Sequence, residues 1–225
     1  MSGVVFDLDG VLVESEHLWE ESWVACAAAS GYVWTSSDTA ACQGMSVPEW
    51  SAYMAAKLGR DDPEAIAQAV GDRMIAALEA GRIDLLDGAA AMVTDAAMRA
   101  PIAVASSAPR RLIEAVLTAT GLRPAFTALV SSEEVARGKP SPDVYIEAAR
   151  RIDRDPARCG AVEDSSNGIR AAAAAGMTVV AIPNPVYPPK PDALALCAKI
   201  AASPDDARRF LLERLPEPRG EDTDP

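Results

Sequence analysis

The stretch Val4-Val5-Phe6-Asp7-Leu8-Asp9-Gly10-Val11-Leu12-Val13 constrains the fold more than any other. Its apolar, β-branched opening has the character of a strand buried on both faces, which requires a parallel sheet covered by helices on either side. Two aspartates and a glycine then arrive where such a strand should end. Ligands in open α/β sheets bind just past the carboxyl ends of the strands, so Asp7 and Asp9 are candidate site residues. Aspartates spaced i, i+2 at a strand end can point the same way, and two like charges brought together need a nearby positive charge. A divalent cation with oxygen ligands is the simplest such partner. Asp and Gly are also common turn formers, so these residues alone leave turn and site open.

At 225 residues the chain can bury a full core, as one large domain or as a domain with an insertion. A net charge of −12 argues against nucleic acid, whose phosphate backbone demands a basic surface, and against docking on anionic lipid. The opening residues lack the basic start and long apolar core of a signal peptide, and the apolar runs fall well short of membrane-spanning length. Cys26, Cys42, Cys159 and Cys197 form no CxxC pair, and His17 is the sole histidine. A zinc cluster, a disulfide framework and a Ser-His-Asp triad are all disfavoured by this, and a cytoplasmic setting fits.

Along the chain, residues 15 to 80 read as helices with no strand among them. Ser15 is placed to cap a helix that Gly31 ends, and a shorter helix follows Ser36-Ser37-Asp38 and stops at Gln43-Gly44. Ser46-Val47-Pro48-Glu49 is a capping-box pattern for a helix running to Leu58, and Asp62-Pro63-Glu64 opens another to about Glu79. Beyond Leu85-Leu86-Asp87-Gly88 strands and helices alternate. Strands are expected at 101–105, 129–130, 161–162 and 178–182, with helices at 89–98, from Pro109 to Gly121, from Ser141-Pro142 and at 166–175. Asn184 to Pro191 carries four prolines and reads as an irregular loop. A last helix over 205–215 is expected to pack weakly or to cap an edge, and 216–225 reads as a disordered, proline-rich acidic tail.

Polar residues gather where the strands end. The first strand supplies Asp7 and Asp9, the second Ser106 and Ser107, and the fourth Glu163 and Asp164, with Gly138-Lys139-Pro140 before a helix between them. If the strands lie side by side, these groups converge on one rim. Carboxylates, hydroxyls and one lysine together make up a kit for phosphoryl transfer. Taken singly, Lys139 could be a solvated lysine, and Glu163-Asp164 could serve only to cap a helix.

Four ordered motifs, DLDGVLVES, VASSAP, GKPSPDVY and VEDSSNGIRAAAAAGM, resemble those of the haloacid dehalogenase (HAD) superfamily over residues 3 to 185. The likeness is to its phosphatases and β-phosphoglucomutase-type phosphomutases, which carry a helical cap inserted after the first strand. It implies a Rossmann-like α/β core with a parallel sheet, residues 1–13 and 86–215, and an all-α cap over 14–85. It also implies Asp7 as the nucleophile that forms an aspartyl-phosphate, and Asp9 as the acid and base. Ser106, helped by Ser107, would bind the phosphoryl oxygens, and Lys139 would balance charge. Mg²⁺ would be held by Asp7, the Asp9 backbone carbonyl and Asp164, with Glu163 bound directly or through water. The expected activity is Mg²⁺-dependent hydrolysis of a small phosphorylated metabolite such as a sugar phosphate.

Several positions depart from, or lie outside, those motifs. Glu14 stands where relatives often have aspartate at the hinge into the cap. His17 can face the site or be an ordinary packed or exposed side chain. All four tryptophans (Trp19, Trp23, Trp34 and Trp50) fall in the cap, where Trp19 and Trp50 are candidates to line a pocket with Gln43 and Gly44. By the resemblance, mutases carry cations at the positions of Gln43 and Val47 for a distal phosphate, and a histidine at that of Trp19. Their absence here favours a phosphatase over a phosphomutase. A dehalogenase would have no need of Asp9 or of a metal, and a scaffold protein no need of the set. Oligomeric state is not legible.

Overall fold

The computed structural model describes residues 1–218. Of the expected acidic tail at 216–225, residues 219–225 lie outside the described residues.

A six-stranded parallel sheet forms the core, with strand order β5-β4-β1-β6-β7-β8. Its strands are β1 (Gly3–Phe6), β4 (Ile102–Ser106), β5 (Ala128–Ser131), β6 (Cys159–Glu163), β7 (Thr178–Ala181) and β8 (Lys199–Ile200). Between β1 and β4 the chain runs through β2 (Val13–Glu14), α1 (Glu16–Ala29), α2 (Ser36–Cys42), α3 (Val47–Leu58), α4 (Pro63–Glu79), β3 (Asp84–Leu85) and α5 (Ala89–Ala97). The remaining helices are α6 (Arg110–Ala119), α7 (Asp143–Arg151), α8 (Ser166–Ala174), α9 (Pro191–Leu194) and α10 (Pro204–Leu212). This is the Rossmann-like α/β architecture expected from the alternation of strands and helices.

β1 is central because it is apolar on both faces. Val5 pairs in register with Ala103 on one side and Ala161 on the other. The pleat sends successive side chains to opposite faces. Val4 and Phe6 join one hydrophobic cluster, which includes Met92, Leu112 and Leu211, while Val5 joins the other with Tyr145 and Ile169. The first cluster continues without a break into the helical segment through Leu8, Leu12, Leu18 and the four tryptophans. Neighbouring tryptophan rings lie 6.1–6.3 Å apart.

The helix boundaries follow local chemistry. At α3 the Glu49 carboxylate accepts from the backbone N–H of Ser46 at 2.8 Å and from its hydroxyl at 2.6 Å, and Gly59 ends the helix in a left-handed conformation. At α2 Thr35 and Asp38 form the reciprocal pair. Ser15 differs from its expected role. It occupies the N-cap position of α1, but its hydroxyl donates to the Asp9 carboxylate and caps nothing.

Three strands went unread in the sequence. β2 and β3 pair antiparallel where the chain enters and leaves the helical segment, with Val13 opposite Leu85 and Glu14 opposite Asp84. β8 adds an edge beside β7. Each has two residues, too few to show alternation.

Of the two roles expected for the last helix, weak packing is not found, since α10 packs on α5 and beside the edge strand β8. Ala207 and Leu211 of α10 are fully buried, and the Arg208 guanidinium donates to Asp95 of α5 at 2.6 Å. Amphipathic spacing on a short polar helix hid this, because only the sheet face and α5 supply what it packs against. Leu211→Ala should destabilise the protein by about 2–4 kcal/mol through lost burial and the cavity left behind. A urea unfolding midpoint within error of wild type would show instead that α10 is peripheral.

Candidate active site

β1, β4 and β6 end side by side, and the parallel pairing carries their terminal residues to one rim of the sheet. Asp7 follows directly on β1, with its backbone N–H held by the Val162 carbonyl at 3.0 Å. The Lys139 Nζ lies 3.0 Å from Asp7 Oδ1 and 2.6 Å from Glu163 Oε1, and Lys139 is only 3% exposed. Burial by itself would depress the lysine, but Asp7 and then Glu163 outweigh it and hold the ammonium charged.

Glu163 is fully buried and fully engaged. Oε1 accepts from Lys139 and from the Tyr145 hydroxyl at 2.8 Å. Oε2 accepts from the backbone N–H groups of Asp164 and Ser165 and from the Ser165 hydroxyl, each at 3.0 Å. Burial raises this carboxyl, yet Lys139 and these donors bring it below its ordinary value. Gly168 makes the arrangement possible, since a Cβ there would overlap the Glu163 carboxylate. Gly10 serves Asp164 in the same way, at a φ of 72° that suits glycine.

Asp7 and Asp164 are pushed well up, first by burial and then by neighbouring carboxylates, against which Lys139 works. Asp7, Glu163 and Asp164 each bring a carboxylate oxygen within 4.8 Å of the others. Asp7 Oδ1 is buried against the Lys139 ammonium, which meets it as an ion pair off the direction of a well-formed hydrogen bond. Asp9 Oδ1 accepts from Ser15 and from the Trp19 indole at 3.1 Å. Burial raises Asp9, and these two donors moderate the rise.

A cavity of about 500 Å³ opens over these groups. Asp7, Asp9, Ser107, Lys139 and Asp164 face it from the sheet side, and Trp19, Gln43, Gly44 and Trp50 from the helical side. Glu163 sits beneath this surface rather than on it. Ser106 is fully buried with its oxygen accepting from the Ala108 N–H at 3.0 Å, and it does not line the cavity. Ser107 does, and its hydroxyl has no partner among the described residues. His17 is exposed, 3.3 Å from Glu14, and does not reach the cavity. The helix explains this: Glu16, Trp19 and Trp23 share one face, and His17 is turned about 100° away.

Sequence reasoning missed Glu16, Trp23, Asn167, Arg170 and Lys190, all of which line the cavity. The i, i+3, i+7 spacing of Glu16, Trp19 and Trp23 was the available signal.

A parallel α/β sheet that gathers buried carboxylates and a lysine at its strand ends has the architecture of an enzyme. The chain belongs to the haloacid dehalogenase-like hydrolases, whose family model matches residues 1–176. It is 31% identical over 195 residues to Protein CbbY of Rhodobacter capsulatus, covering 82% of this chain and 86% of that one. It is 33% identical over 189 residues to Hexitol phosphatase B of Escherichia coli K12, covering 80% and 83%. The crystal structure of CbbY from Rhodobacter sphaeroides in complex with phosphate superposes with a TM-score of 0.79 at 28% identity, covering 91% of this chain and 95% of that one.

Glu16 offers a test of the site's electrostatics. Its carboxyl is pushed up to about 8, first by burial and then by Asp9, Glu14 and Glu163. In the unfolded chain it titrates near 4.3, so between about 4.3 and 8 the folded protein binds more protons than the unfolded one. Stability contributed by this group is therefore present at low pH and falls as pH rises through that window. In EDTA, Glu16→Gln should gain stability relative to wild type between about pH 5 and 9, read as urea midpoints. A constant difference across that range would mean Glu16 titrates normally.

Proposed function

We propose that the chain is a Mg²⁺-dependent phosphatase that hydrolyses a small phosphorylated metabolite, a sugar or hexitol phosphate, through an aspartyl-phosphate on Asp7. The observation that carries this reading is the pairing of Asp7, buried beside Lys139 on the cavity floor, with a second carboxylate, Asp9, opening into the same space. One carboxylate attacks while the other manages protons, a division of labour that neither a dehalogenase nor a scaffold requires.

As an Asp7 oxygen bonds to phosphorus, the bond from phosphorus to the leaving oxygen breaks, and Asp9 gives that oxygen its proton. Asp9 then takes a proton from water, whose oxygen attacks phosphorus and frees Asp7 and inorganic phosphate. Lys139 and the Ser107 hydroxyl stabilise the charge that develops on the phosphoryl oxygens. Ser106 supports the turn that presents Ser107. Glu163, with both oxygens occupied, holds Lys139 in place.

The donor set fits a hard divalent cation. Asp7, Glu163 and Asp164 bring carboxylate oxygens within 4.8 Å of one another, Asp164 is crowded by the other carboxylates, and Lys139, the sole cation bonded to the cluster among the described residues, reaches Asp7 and Glu163 but not Asp164. Asp7, Asp164 and the Asp9 backbone carbonyl would hold Mg²⁺, with Glu163 outside the direct ligands. When bound, the ion neutralises the carboxylates and lets a phosphate approach Asp7.

The substrate class rests on the cavity and on the relatives. Hexitol phosphatase B is named for a hexitol phosphate, and a cavity of about 500 Å³ suits a ligand of that size. The phosphomutase reading fares less well. Val47 lies away from this cavity, and among the described residues the helical wall brings no Lys or Arg to it. A distal phosphate would find no charge-assisted donor there.

Asp7→Asn should lower turnover of glucitol 6-phosphate by more than about a thousandfold with the fold intact, because an amide is a poor nucleophile. Retention of more than a few per cent of activity would rule out attack by Asp7. With β-glucose 1-phosphate and a trace of glucose 1,6-bisphosphate, the product should be inorganic phosphate. Glucose 6-phosphate accumulating without free phosphate would make the chain a mutase.

A further inference from the structure

Asp9 meets the helical segment through one oxygen only. Oδ1 accepts from the Ser15 hydroxyl and from the Trp19 indole N–H at 3.1 Å, which fills both of its lone pairs. Among the described residues no group donates to Oδ2, while Asp9 lines the cavity beside Asp7.

Trp19 cannot easily release its hold. The residue is 6% exposed, and its ring packs 6.1 Å from that of Trp23 and 6.2 Å from that of Trp50. Its N–H can donate but never accept, so unlike an imidazole it cannot take a proton from Asp9 or pass one on. Trp23, by contrast, lines the same cavity with a buried N–H that has no partner among the described residues. The bond to Asp9 is thus particular to Trp19 rather than a general property of the aromatic cluster.

We propose that Trp19 is a positioning residue for the acid. Together with Ser15 it pins Oδ1 of Asp9, so that the proton for the leaving group is carried on Oδ2, the oxygen that faces the cavity. As the Asp7 oxygen forms its bond to phosphorus, the ester bond breaks and the electron pair left on the leaving oxygen accepts the proton from Oδ2. The indole proton stays on nitrogen throughout. Because Trp19 belongs to α1 and Asp9 to the loop after β1, the acid is aligned only while the helical segment sits on the sheet. This inference rests on the phosphatase reading above.

The test is the dependence of kcat/KM on the leaving group, with Mg²⁺ present, across substituted phenyl phosphates from p-nitrophenyl to unsubstituted phenyl. kcat/KM covers every step up to departure of the leaving group. A p-nitrophenolate can depart without a proton, whereas a poorer leaving group depends on the acid. Trp19→Phe keeps an aromatic ring in the cluster and removes the donor. It should lose at least about tenfold more activity on phenyl phosphate than on p-nitrophenyl phosphate, within the ~10²–10⁴-fold that acid catalysis supplies. Ser15→Ala removes the other donor to Oδ1 without touching the aromatic cluster, and it should shift the same dependence in the same direction. It decides the matter if Trp19→Phe does not fold. Equal losses on both esters, or no loss, would assign Trp19 to packing alone and overturn the proposal. If wild type hydrolyses none of the esters, the phosphatase reading fails first, an outcome distinct from equal losses in the variants.

Discussion

The ammonium of Lys139, buried between Asp7 and Glu163, is the interaction on which the strand-end site depends. Two carboxylates within 4.8 Å of one another repel by about 3–4 kcal/mol at an effective dielectric near 20, before the loss of their hydration is counted. A single lysine cannot balance Asp7, Glu163 and Asp164 together. The protein therefore spends it on two of them and gives Glu163 further donors from the N-terminus of α8 and from Tyr145 of α7. That leaves Asp164 in deficit, which is the condition a divalent cation would relieve. Glu163 thus ties three elements together, because β6 carries it, α7 and α8 satisfy it, and the loop before α7 brings the lysine. Removing one partner of such a pair leaves an uncompensated buried charge, and this is why the motif residues come as a set.

The helical segment is held to the sheet by two kinds of contact with different strengths. Its core runs continuously into one sheet cluster through Leu8, Leu12 and Leu18, a connection made close to the hinge strands β2 and β3. Farther out the contacts are polar and at least partly exposed. Arg111 of α6 pairs with Asp72 of α4, the two side chains being 40% and 58% exposed, and the Tyr187 hydroxyl donates to Glu20 of α1 at 3.0 Å. Exposed ion pairs contribute about 0–1 kcal/mol. The outer contacts can therefore break at little expense while the hinge side stays packed, which suits a cap proposed to open and close over the site. Trp19 is buried with the aromatic cluster and bonded to Asp9 below it.

The two walls of the cavity divide their labour. The sheet side presents the charged groups of phosphoryl chemistry, and its mouth carries Arg170, already paired with Asp192 at 2.6 Å, and the exposed Lys190. The helical side brings aromatic rings, the Gln43 amide and the Glu16 carboxyl. An acid and an amide suit hydroxyl groups, not a second phosphate, and this asymmetry favours water as the final acceptor.

Much of this was legible in the chain order of residues. The apolar run before Asp7, the capping box at Ser46 and the glycines that end helices are local features, and local physics determined β1, α3 and the alternation that makes a parallel sheet. The convergence of Asp7, Lys139, Glu163 and Asp164 followed from strand ends lying side by side. What the sequence left open depended on direction and depth. Whether His17 or Trp19 turned towards Asp9 hung on the rotation of α1, and whether Ser106 or Ser107 faced the cavity hung on the pleat and the turn after β4. Glu163 and Asp164 look equivalent as neighbours in sequence, yet one lies beneath the cavity with five donors and the other lines it, because adjacent side chains leaving a strand point to opposite sides. The two-residue strands and the burial of α10 arise only from partners far along the chain, so tertiary packing alone decided them.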